Sequence, residues 1–387
     1  MRKGVSLILL LSILMYACSS NKTEGTVRTT VYPVEIKDEA KFSDIFEKIS
    51  YTSLKIPYHL NITKIDKAIF TGDHFIIGDY LDGLKIFIFN QEGELTGLIN
   101  NYGEGPGEYT AILNFVFDPI NNLIEVLTVE RIIKFDLAGN FLDEFKLPIK
   151  IENFIVTGQN EYLAFIPPYM FNEVLPNDGK DFDLYNINLE NKNIDPIVPD
   201  VFSHKAFPFT EKGNLFLNGN KSYFSTTSVD TIYKIVNAKL EEKIVLDFGK
   251  FRLNRKEFHG LGSQQRAFKR NQEEFVNKTF WHYPHLSTNG NTLITTYLNR
   301  KGYKLTVVEL DQGKAWTSPS WTNDIDGGLE WFNAPFIFEN SIFSFMSNEV
   351  ILDHYNKKNW IGSTTQFTEL MENLIDELVV IKHELRK

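Results

Sequence analysis

An alternating apolar run followed by a tight turn recurs along this chain at intervals near 50 residues. In the two clearest copies, the runs 84–90 and 131–136 lead into turns that contain Gly93 and Gly139. Alternation with a period of two that ends in a glycine-containing turn is typical of a β-hairpin. Weaker copies occur at 182–188, 231–237 and 303–311. The chain is therefore expected to be all-β and repetitive.

The spacing of these copies indicates the size of the repeated unit. Aligning Phe89, Phe135, Ile187, Val236 and Leu310 gives intervals of 46, 52, 49 and 74 residues. Three intervals fit the four-stranded blade of a β-propeller, whose repeats run roughly 40 to 50 residues. The fourth interval is longer by about 25 residues, which predicts an insertion within that blade connection.

Two segments lack the strand pattern and predict helical insertions. Residues 250–278 contain apolar side chains at helical spacing and no proline, as expected of an amphipathic helix. Apolar residues in the second half of 357–375 follow the same spacing, so a second helix is predicted there.

The last repeat is one strand short. Residues 335–346 predict its first two strands and 378–385 its third, after which the chain ends. The segment 49–56, near the start of the chain, can supply the missing strand. Such closure removes the exposed edges that an open array would leave. We therefore predict a six-bladed β-propeller whose last blade is closed by an N-terminal strand.

The composition favours sheet packing and excludes several classes of function. The chain has 32 Phe, 16 Tyr and 5 Trp, and large flat side chains favour strands and sheet-on-sheet cores. A formal net charge of −10 gives no general attraction to nucleic acid, so no nucleic-acid partner is expected. A single cysteine excludes an internal disulfide framework and a cysteine-based zinc site.

The N-terminus predicts export. A basic start and the apolar run 5–15 are typical of a secretory signal peptide, here residues 1–17. The only cysteine, Cys18, follows Ala17 at the expected cleavage point, and the segment 14–18 resembles a bacterial lipobox. Cys18 is therefore the predicted lipidation site and the anchor to a membrane. A secreted protein with a coincidental cysteine is the alternative.

The polar composition after Cys18 predicts the domain organisation. Residues 18–46 contain few large apolar clusters and predict a flexible tether and lead-in. Residues 47–387 would then form the propeller as one domain.

The segments 89–95 and 103–109 carry a resemblance to a known family. The second segment reads Gly-Glu-Gly-Pro-Gly-Glu-Tyr, and its position after the first blade is similar to that in the six-bladed β-propeller lipoproteins of Gram-negative bacteria. These are related in shape to NHL-repeat propellers. The chain departs from that family in having Asp376 and Glu377, where Asn-Pro often precedes the last strand. The resemblance implies an outer-membrane lipoprotein on either side of the membrane, and it implies no established reaction.

The predicted topology places the unusual segments on one face. If the strands of each blade are labelled a to d from the axis outward, the b–c loops and d–a connections share one face, here named the loop face. The a–b and c–d turns share the opposite face, the turn face. Segments 103–109, 250–278 and 316–331 are predicted d–a connections, and 357–375 is a predicted b–c insertion. A ligand site is therefore expected on the loop face.

The glycine-rich segment 103–109 offers the first candidate residues. Its backbone amides, together with Glu104 or Glu108, could contact a ligand. The alternative is a rigid corner between two blades, with Tyr109 as a packing plug. The segment lacks the lysine and the strand–turn–helix context of a phosphate-binding loop.

The insertion 250–278 is basic in an acidic protein. Arg266 and Arg270 could bind an anionic ligand such as an acidic glycan through bidentate guanidinium contacts. The alternative is a solvated helix that leans on an acidic body.

Trp316, Trp321 and Trp331 lie close together in sequence with Asp324 and Asp326. Tryptophan faces stack on sugar rings and carboxylates accept hydrogen bonds from hydroxyl groups, so Trp321, Asp324 and Asp326 are candidate ligand contacts. Packing between sheets uses tryptophan equally well.

No catalytic or metal-binding motif stands out. His282 and His285 are the closest histidine pair, but the intervening Pro284 disfavours a shared helical metal site. No nucleophile elbow and no metalloprotease helix occur, so no catalytic residue is assigned, and neither a metal nor a cofactor is expected.

These observations favour a lipid-anchored binding or scaffold protein of the cell envelope over an enzyme. Its partner would be a glycan, a peptide or an envelope protein bound on the loop face. The alternative is a metal-dependent lyase or hydrolase with its site at the axial mouth of the propeller. A purely structural part of a larger envelope assembly is a third hypothesis.

Overall fold

The structure, a computed structural model, is mostly β and consists of many small sheets. It describes residues 27–386 apart from 168–169, 180, 200–212, 227–228, 259–260, 271, 273–280, 300–301, 331, 333–335 and 358–377. This architecture is consistent with the predicted β-propeller. Cys18 and the predicted signal peptide lie outside the described residues.

The strands are numbered in chain order. The N-terminal strands are β1 (Arg28–Ile36), β2 (Ala40–Lys41) and β3 (Phe46–Leu54). The next twelve are β4 (Lys67–Phe70), β5 (His74–Asp79), β6 (Lys85–Asn90), β7 (Leu95–Ile99), β8 (Asn114–Asp118), β9 (Leu123–Leu127), β10 (Arg131–Phe135), β11 (Phe141–Lys146), β12 (Asn153–Gly158), β13 (Glu161–Phe165), β14 (Phe182–Asn188) and β15 (Asn193–Pro199). The remainder are β16 (Leu215–Asn218), β17 (Lys221–Phe224), β18 (Thr231–Val236), β19 (Lys239–Asp247), β20 (Trp281–Thr288), β21 (Thr292–Asn299), β22 (Gly302–Glu309), β23 (Lys314–Thr317), β24 (Trp321–Thr322), β25 (Phe336–Phe338), β26 (Ser341–Ser347) and β27 (Leu378–Leu385).

Consecutive strands pair into four-stranded antiparallel units. We name them sheet 1 (β4–β7), sheet 2 (β8–β11), sheet 3 (β12–β15), sheet 4 (β16–β19), sheet 5 (β20–β23) and sheet 6 (β25, β26, β27 and β3). In sheets 1 to 5 the strands pair in the order in which they occur in the chain, so each sheet has a first strand, at one edge, and a fourth strand, at the other.

Sequence patterning follows the position of a strand within its sheet. The third strand of sheet 1, β6, is apolar and buried on both faces because other sheets cover it on either side. The fourth strand of sheet 2, β11, is mostly exposed and carries the charged residues Asp143 and Glu144. In sheet 2 the preceding strand, β10, is more buried than this last strand.

The hydrophobic core is divided into clusters between neighbouring sheets. Sheets 1 and 2 share one cluster, and sheets 2 and 3, 3 and 4, 4 and 5, and 5 and 6 each share another. A further cluster joins sheet 6 to sheet 1, where Phe75 and Phe87 pack with Phe343 and Phe345. The first and last sheets of the chain are therefore packed against each other.

The predicted pairing of the two chain ends is confirmed. Strand β3 pairs antiparallel with β27, in a register that places Tyr51 opposite Ile381 and Leu54 opposite Leu378. The fourth strand of sheet 6 thus comes from the N-terminal part of the chain, which removes a free edge.

The prediction of a flexible tether across 18–46 was wrong for its second half. Strand β1 pairs in parallel with β19 through residues 28–33 and with β23 through residues 34–36. It therefore joins the fourth strands of sheets 4 and 5. The sequence did not predict β1 because its composition is largely polar. Pairing at a sheet edge uses backbone hydrogen bonds and requires only one apolar face.

The structure supports the two predicted helical insertions only in part, because the described helices are short. Within 250–278 the described residues contain the α-helix α1 (Ser263–Arg270) and two 3₁₀ turns, Gly249–Phe251 and Arg255–Phe258. The helix α2 (Asn348–Lys357) follows β26, whereas almost all of the predicted helix 357–375 lies outside the described residues. No helix among the described residues is long and apolar enough to cross a membrane.

Candidate functional site

The glycine-rich segment 103–109 folds into a corner held by its own side chains. Glu108 accepts a hydrogen bond at Oε2 from the Gly105 amide at 2.8 Å. The buried Tyr109 hydroxyl donates to the Leu84 carbonyl at 3.0 Å and accepts from the Asn101 amide at 3.1 Å. Burial raises the pKa of Tyr109 to about 12. This geometry matches the structural alternative, a rigid corner plugged by Tyr109.

Two residues of sheet 2, Arg131 and Glu144, also bind this corner. The Arg131 guanidinium donates to the Glu108 carbonyl oxygen at 2.7 Å and pairs with Glu144 Oε1 at 2.8 Å. Glu144 Oε2 accepts from the Gly107 amide at 3.0 Å. The Glu108 carboxylate therefore binds the backbone of its own loop. The other predicted residue of this segment, Glu104, is exposed.

The tryptophan-rich stretch packs inward, although it was predicted to project from the loop face. Trp321 is only 9% exposed, and its ring lies 5.9 Å from Phe42 and 5.4 Å from Trp316 between centroids. Phe42 belongs to the N-terminal segment that the sequence predicted to be a tether. The stretch bends back because this segment supplies an apolar surface for it, as in the packing alternative. Trp331 lies outside the described residues.

Of the two aspartates in this stretch, Asp324 contacts the predicted tether and Asp326 contacts strand β3. Asp324 accepts from the Ser43 amide at 2.9 Å and from the Ser43 hydroxyl at 2.6 Å. Partial burial alone would raise the pKa of Asp324, but these hydrogen bonds outweigh it and lower the pKa. The buried Asp326 accepts from the Tyr51 hydroxyl at 2.5 Å. Burial and the neighbouring Asp326 carboxylate raise the pKa of Tyr51 well above its usual value.

The remaining predicted residues fall in less completely described regions. Arg266 and Arg270 lie in α1, and their side chains are outside the described part. Phe268, in the same helix, is 72% exposed. The side chains of His282 and His285 are likewise outside it.

The hypothesis of a metal-dependent enzyme requires converging carboxylates or histidines. Across the ranges that the structure describes, no group of three or more His, Cys, Asp or Glu side chains could hold a metal ion.

A groove of about 420 Å³ lies between sheets 2 and 3. It is bounded by the β9–β10 loop, the β11–β12 connection and the β13–β14 loop, and lined by Glu130, Lys146, Leu147, Pro148, Ile149, Lys150, Phe171, Asn172, Glu173 and Val174. By the predicted topology these are b–c loops and a d–a connection, so the groove belongs to the loop face.

The groove has a fixed wall and an apolar rim. Asn172 is buried, accepts from the Lys150 amide at 2.7 Å and donates to the Lys150 carbonyl at 3.0 Å, which holds the β13–β14 loop to the β11–β12 connection. Phe171 and Val174 flank Asn172 and are 61% and 70% exposed. The rim of the groove therefore carries exposed apolar side chains on a backbone that the hydrogen bonds of Asn172 keep in place.

Other exposed apolar side chains share this edge of the sheets. Eight of the thirteen large hydrophobic residues that are exposed among the described ones lie in b–c loops or d–a connections: Tyr58, Leu81, Tyr102, Val129, Phe171, Val174, Phe268 and Tyr355. Only Ile120 lies in an a–b or c–d turn. Sequence analysis missed Phe171 and Val174, although the long β13–β14 connection was a signal that could have found them.

A second cavity, of about 620 Å³, is lined by the first strands of all six sheets or the residues flanking them. Its lining is mainly apolar and includes Ile69, Phe70, Val116, Phe117, Ile155, Leu215, Phe216, Leu217, Phe336, Ile337 and Phe338. We name it the central cavity.

Asparagine side chains link the beginnings of several first strands. Lys67 Nζ donates to Asn114 Oδ1 at 2.9 Å, and Asn114 Nδ2 donates to Asn153 Oδ1 at 2.6 Å. Asn153 Nδ2 in turn donates to Asn214 Oδ1 at 2.5 Å. The three asparagines are buried, and we name them the asparagine belt.

Comparisons with known proteins identify one family model that covers most of this chain. Residues 29–383 match the model of a family described as a domain of unknown function, DUF4934. None of the curated proteins matches this sequence.

Two solved structures share the fold. A Bacteroides fragilis protein described as exported has 13% sequence identity and a TM-score of 0.71, with 93% of this chain and 100% of that chain covered. A member of the DUF4221 family from Bacteroides vulgatus has 11% identity and a TM-score of 0.50, with 88% and 98% covered. At these identities the likeness concerns the fold alone.

Proposed function

From the premise that this chain belongs to the DUF4934 family, whose function is unknown, we propose that it is a lipid-anchored scaffold of the cell envelope that binds a protein partner on its loop face. The proposal combines an arrangement of the sheets, an anchor and a binding surface, and each has its own support.

The six sheets are inferred to be six blades around one axis. The supporting observation is that each core cluster lies between two consecutive sheets and that one cluster joins sheet 6 to sheet 1. The common lining of the central cavity also agrees with first strands that face a shared axis. With this arrangement, the loops at the same edge of every sheet lie on the same face of the ring.

The anchor is inferred from the lipobox-like segment that ends at Cys18. The similar Bacteroides fragilis structure is described as an exported protein, which agrees with an envelope location. We place the mature protein at the outer membrane, held by acyl chains on Cys18.

The concentration of exposed apolar side chains on the loop face is the observation that carries the binding function. Isolated exposed apolar residues are ordinary, but a biased distribution marks an interaction surface. Tyr and Phe are enriched at protein interfaces and often dominate the binding energy. Mixed charges from Glu130, Lys146 and Lys150 border the apolar rim, as in the polar rim of a protein interface.

Binding selections with the full-length protein test this proposal. We would screen it against a displayed peptide library and, in parallel, a glycan array. Selected peptides are expected to bind through apolar side chains, and Phe171→Ser should weaken their binding at least tenfold. Ile120→Ser is the matched control, because Ile120 is exposed in an a–b turn, and it should change binding less than twofold.

Two outcomes would overturn the proposal. Equal loss of peptide binding in the Phe171 and Ile120 variants would show that the loop face is not the binding surface. Glycan binding without peptide binding, retained in Phe171→Ser, would instead favour a sugar ligand at another site.

A further inference from the structure

The central cavity contains apolar surface without a full protein cover. Seven large apolar side chains that line it are only partly buried: Ile69, Phe70, Phe117, Phe216, Leu217, Phe336 and Phe338. Polar residues such as Asn218, Asn289 and Glu339 lie at the ends of the first strands, beside the a–b turns. A site with an apolar interior and a polar rim suits an elongated amphiphile whose tail enters and whose head stays outside.

The direction of β1 places its first residue, Arg28, at the end of the strand nearer the turn face. Strand β1 runs parallel to β19, the fourth strand of sheet 4, with Arg28 opposite Glu242 and Pro33 opposite Asp247. Fourth strands run from the c–d turns towards the loop face. Strand β1 therefore also runs towards the loop face, and its first residue, Arg28, lies at the end nearer the turn face.

The distance between the anchor and the ring is short. Nine residues lie between Cys18 and Arg28, and the ten Cα–Cα steps from Cys18 to Arg28 span at most about 35 Å. A nine-residue strand such as β19 is itself about 30 Å long, so a chain that doubled back along the ring would use most of that reach. The acylated protein would thus present its turn face to the lipid surface.

We propose that the central cavity, open at the a–b turns and facing the bilayer, takes the acyl chain of a single-chain membrane amphiphile. This inference uses the lipid anchor and the six-bladed ring of the proposed function. It assigns the turn face to lipid and leaves the loop face to the protein partner. The partly buried phenylalanines of the first strands would contact the acyl chain, and the turn residues would border its polar head.

Photo-cross-linking of the full-length protein in phosphatidylcholine vesicles tests this proposal. The probe is lysophosphatidylcholine with a diazirine in its single acyl chain. Mass spectrometry of the irradiated protein should find the probe on peptides that include 67–71, 215–219 and 336–339. An excess of unlabelled lysophosphatidylcholine should reduce this labelling at least tenfold. Labelling confined to the loop face, or labelling that excess lipid does not reduce, would overturn the proposal.

A matched pair of variants identifies the contact surface. Phe216→Gln should reduce cavity labelling at least fivefold, whereas Phe141→Gln, on the exposed fourth strand of sheet 2, should leave it unchanged. Equal labelling in the two variants would overturn the proposal. If Phe216→Gln does not fold, the positions labelled in the unchanged protein decide the question.

The mass of the N-terminal peptide reports separately on the anchor. Acylated Cys18 with no labelled cavity would overturn this inference and leave the proposed function intact. A labelled cavity with unmodified Cys18 would overturn the anchor and, with it, the assigned orientation.

Discussion

Asn114 donates through Nδ2 to Oδ1 of Asn153 at 2.6 Å, and this bond joins the first strands of sheets 2 and 3. Asn153 continues the belt to Asn214 and also accepts from the Phe154 amide at 2.8 Å. Because Asn153 is buried, each of these hydrogen bonds is shielded from water. A chain of polar side chains thus couples the first strands of neighbouring sheets, where the packed apolar clusters alone would not specify register.

Replacing Asn153 with alanine should destabilise the fold strongly. The change removes both belt partners and leaves buried amide groups unsatisfied, for an expected loss of about 3 kcal/mol in the free energy of unfolding. Urea denaturation gives this value. Asn220→Ala, at an exposed turn position, is the control and should stay within about 0.5 kcal/mol of the unchanged protein. Similar losses of unfolding free energy in the two variants would show that the hydrogen bonds of the asparagine belt do not stabilise the fold.

The turn glycines differ in what a side chain would meet. A Cβ at Gly139 would lie 2.3 Å from the Leu98 carbonyl oxygen of sheet 1, whereas a Cβ at Gly313 would have no atom within 4 Å. Both residues have positive φ, +89° and +67°. Gly313→Ala should therefore cost only the conformational penalty, about 1 kcal/mol, and Gly139→Ala about 3 kcal/mol or more. Equal costs in thermal or urea unfolding would mean that the contact between sheets 1 and 2 is unimportant.

Stability should fall in acid because of His383. This residue is buried among the rings of Phe42, Phe46 and Phe332, and burial lowers the pKa of its imidazole to about 3, with the Ile342 backbone bond offsetting only part of the effect. The unfolded chain binds this proton below pH 6.5 and the folded chain does not, so stability is lost as pH falls from about 6.5 towards 3, at roughly 1.4 kcal/mol per pH unit.

The variant His383→Gln isolates this effect. Between pH 7.5 and 4.5, the stability difference between the original protein and the variant should change by about 2.5 kcal/mol, with the variant gaining relative stability in acid. Urea unfolding at several pH values measures it. A difference that stays constant with pH would show that His383 does not titrate in this way.

Asp326 and Asp324 should differ in their effect on stability, although they are close in sequence. Asp326 accepts from the Tyr51 hydroxyl, the Asn323 side chain and the Gly328 amide, all at a buried position. Asp326→Ala should lower the free energy of unfolding by about 3 kcal/mol, and Asp324→Ala, at an exposed position, by about 1 kcal/mol or less. If both residues served only a sugar ligand, neither variant would lose stability.

The candidate site was only partly predictable. A binding site on the loop face was predicted from the sequence and stays a prediction, which the exposed apolar residues of the b–c loops and d–a connections support. The individual residues were harder to choose, because an exposed Phe171 and a buried Trp321 are both large aromatic residues in a connection. Exposure depends on what the rest of the chain places over them, and in the case of Trp321 this is Phe42.

Local alternation and turn chemistry predicted the strands of the repeats and the turns at Gly93 and Gly139. The pairing of 378–385 with the N-terminal segment that begins near residue 49 was predicted from the repeat, because its last copy is one strand short. The attachment of β1 to two sheet edges, the inward packing of the tryptophan-rich stretch, the asparagine belt and the central cavity were decided only by the tertiary structure. Each arises from contacts between residues that are distant in the chain and lack a periodic signature, so their positions follow from how the sheets assemble.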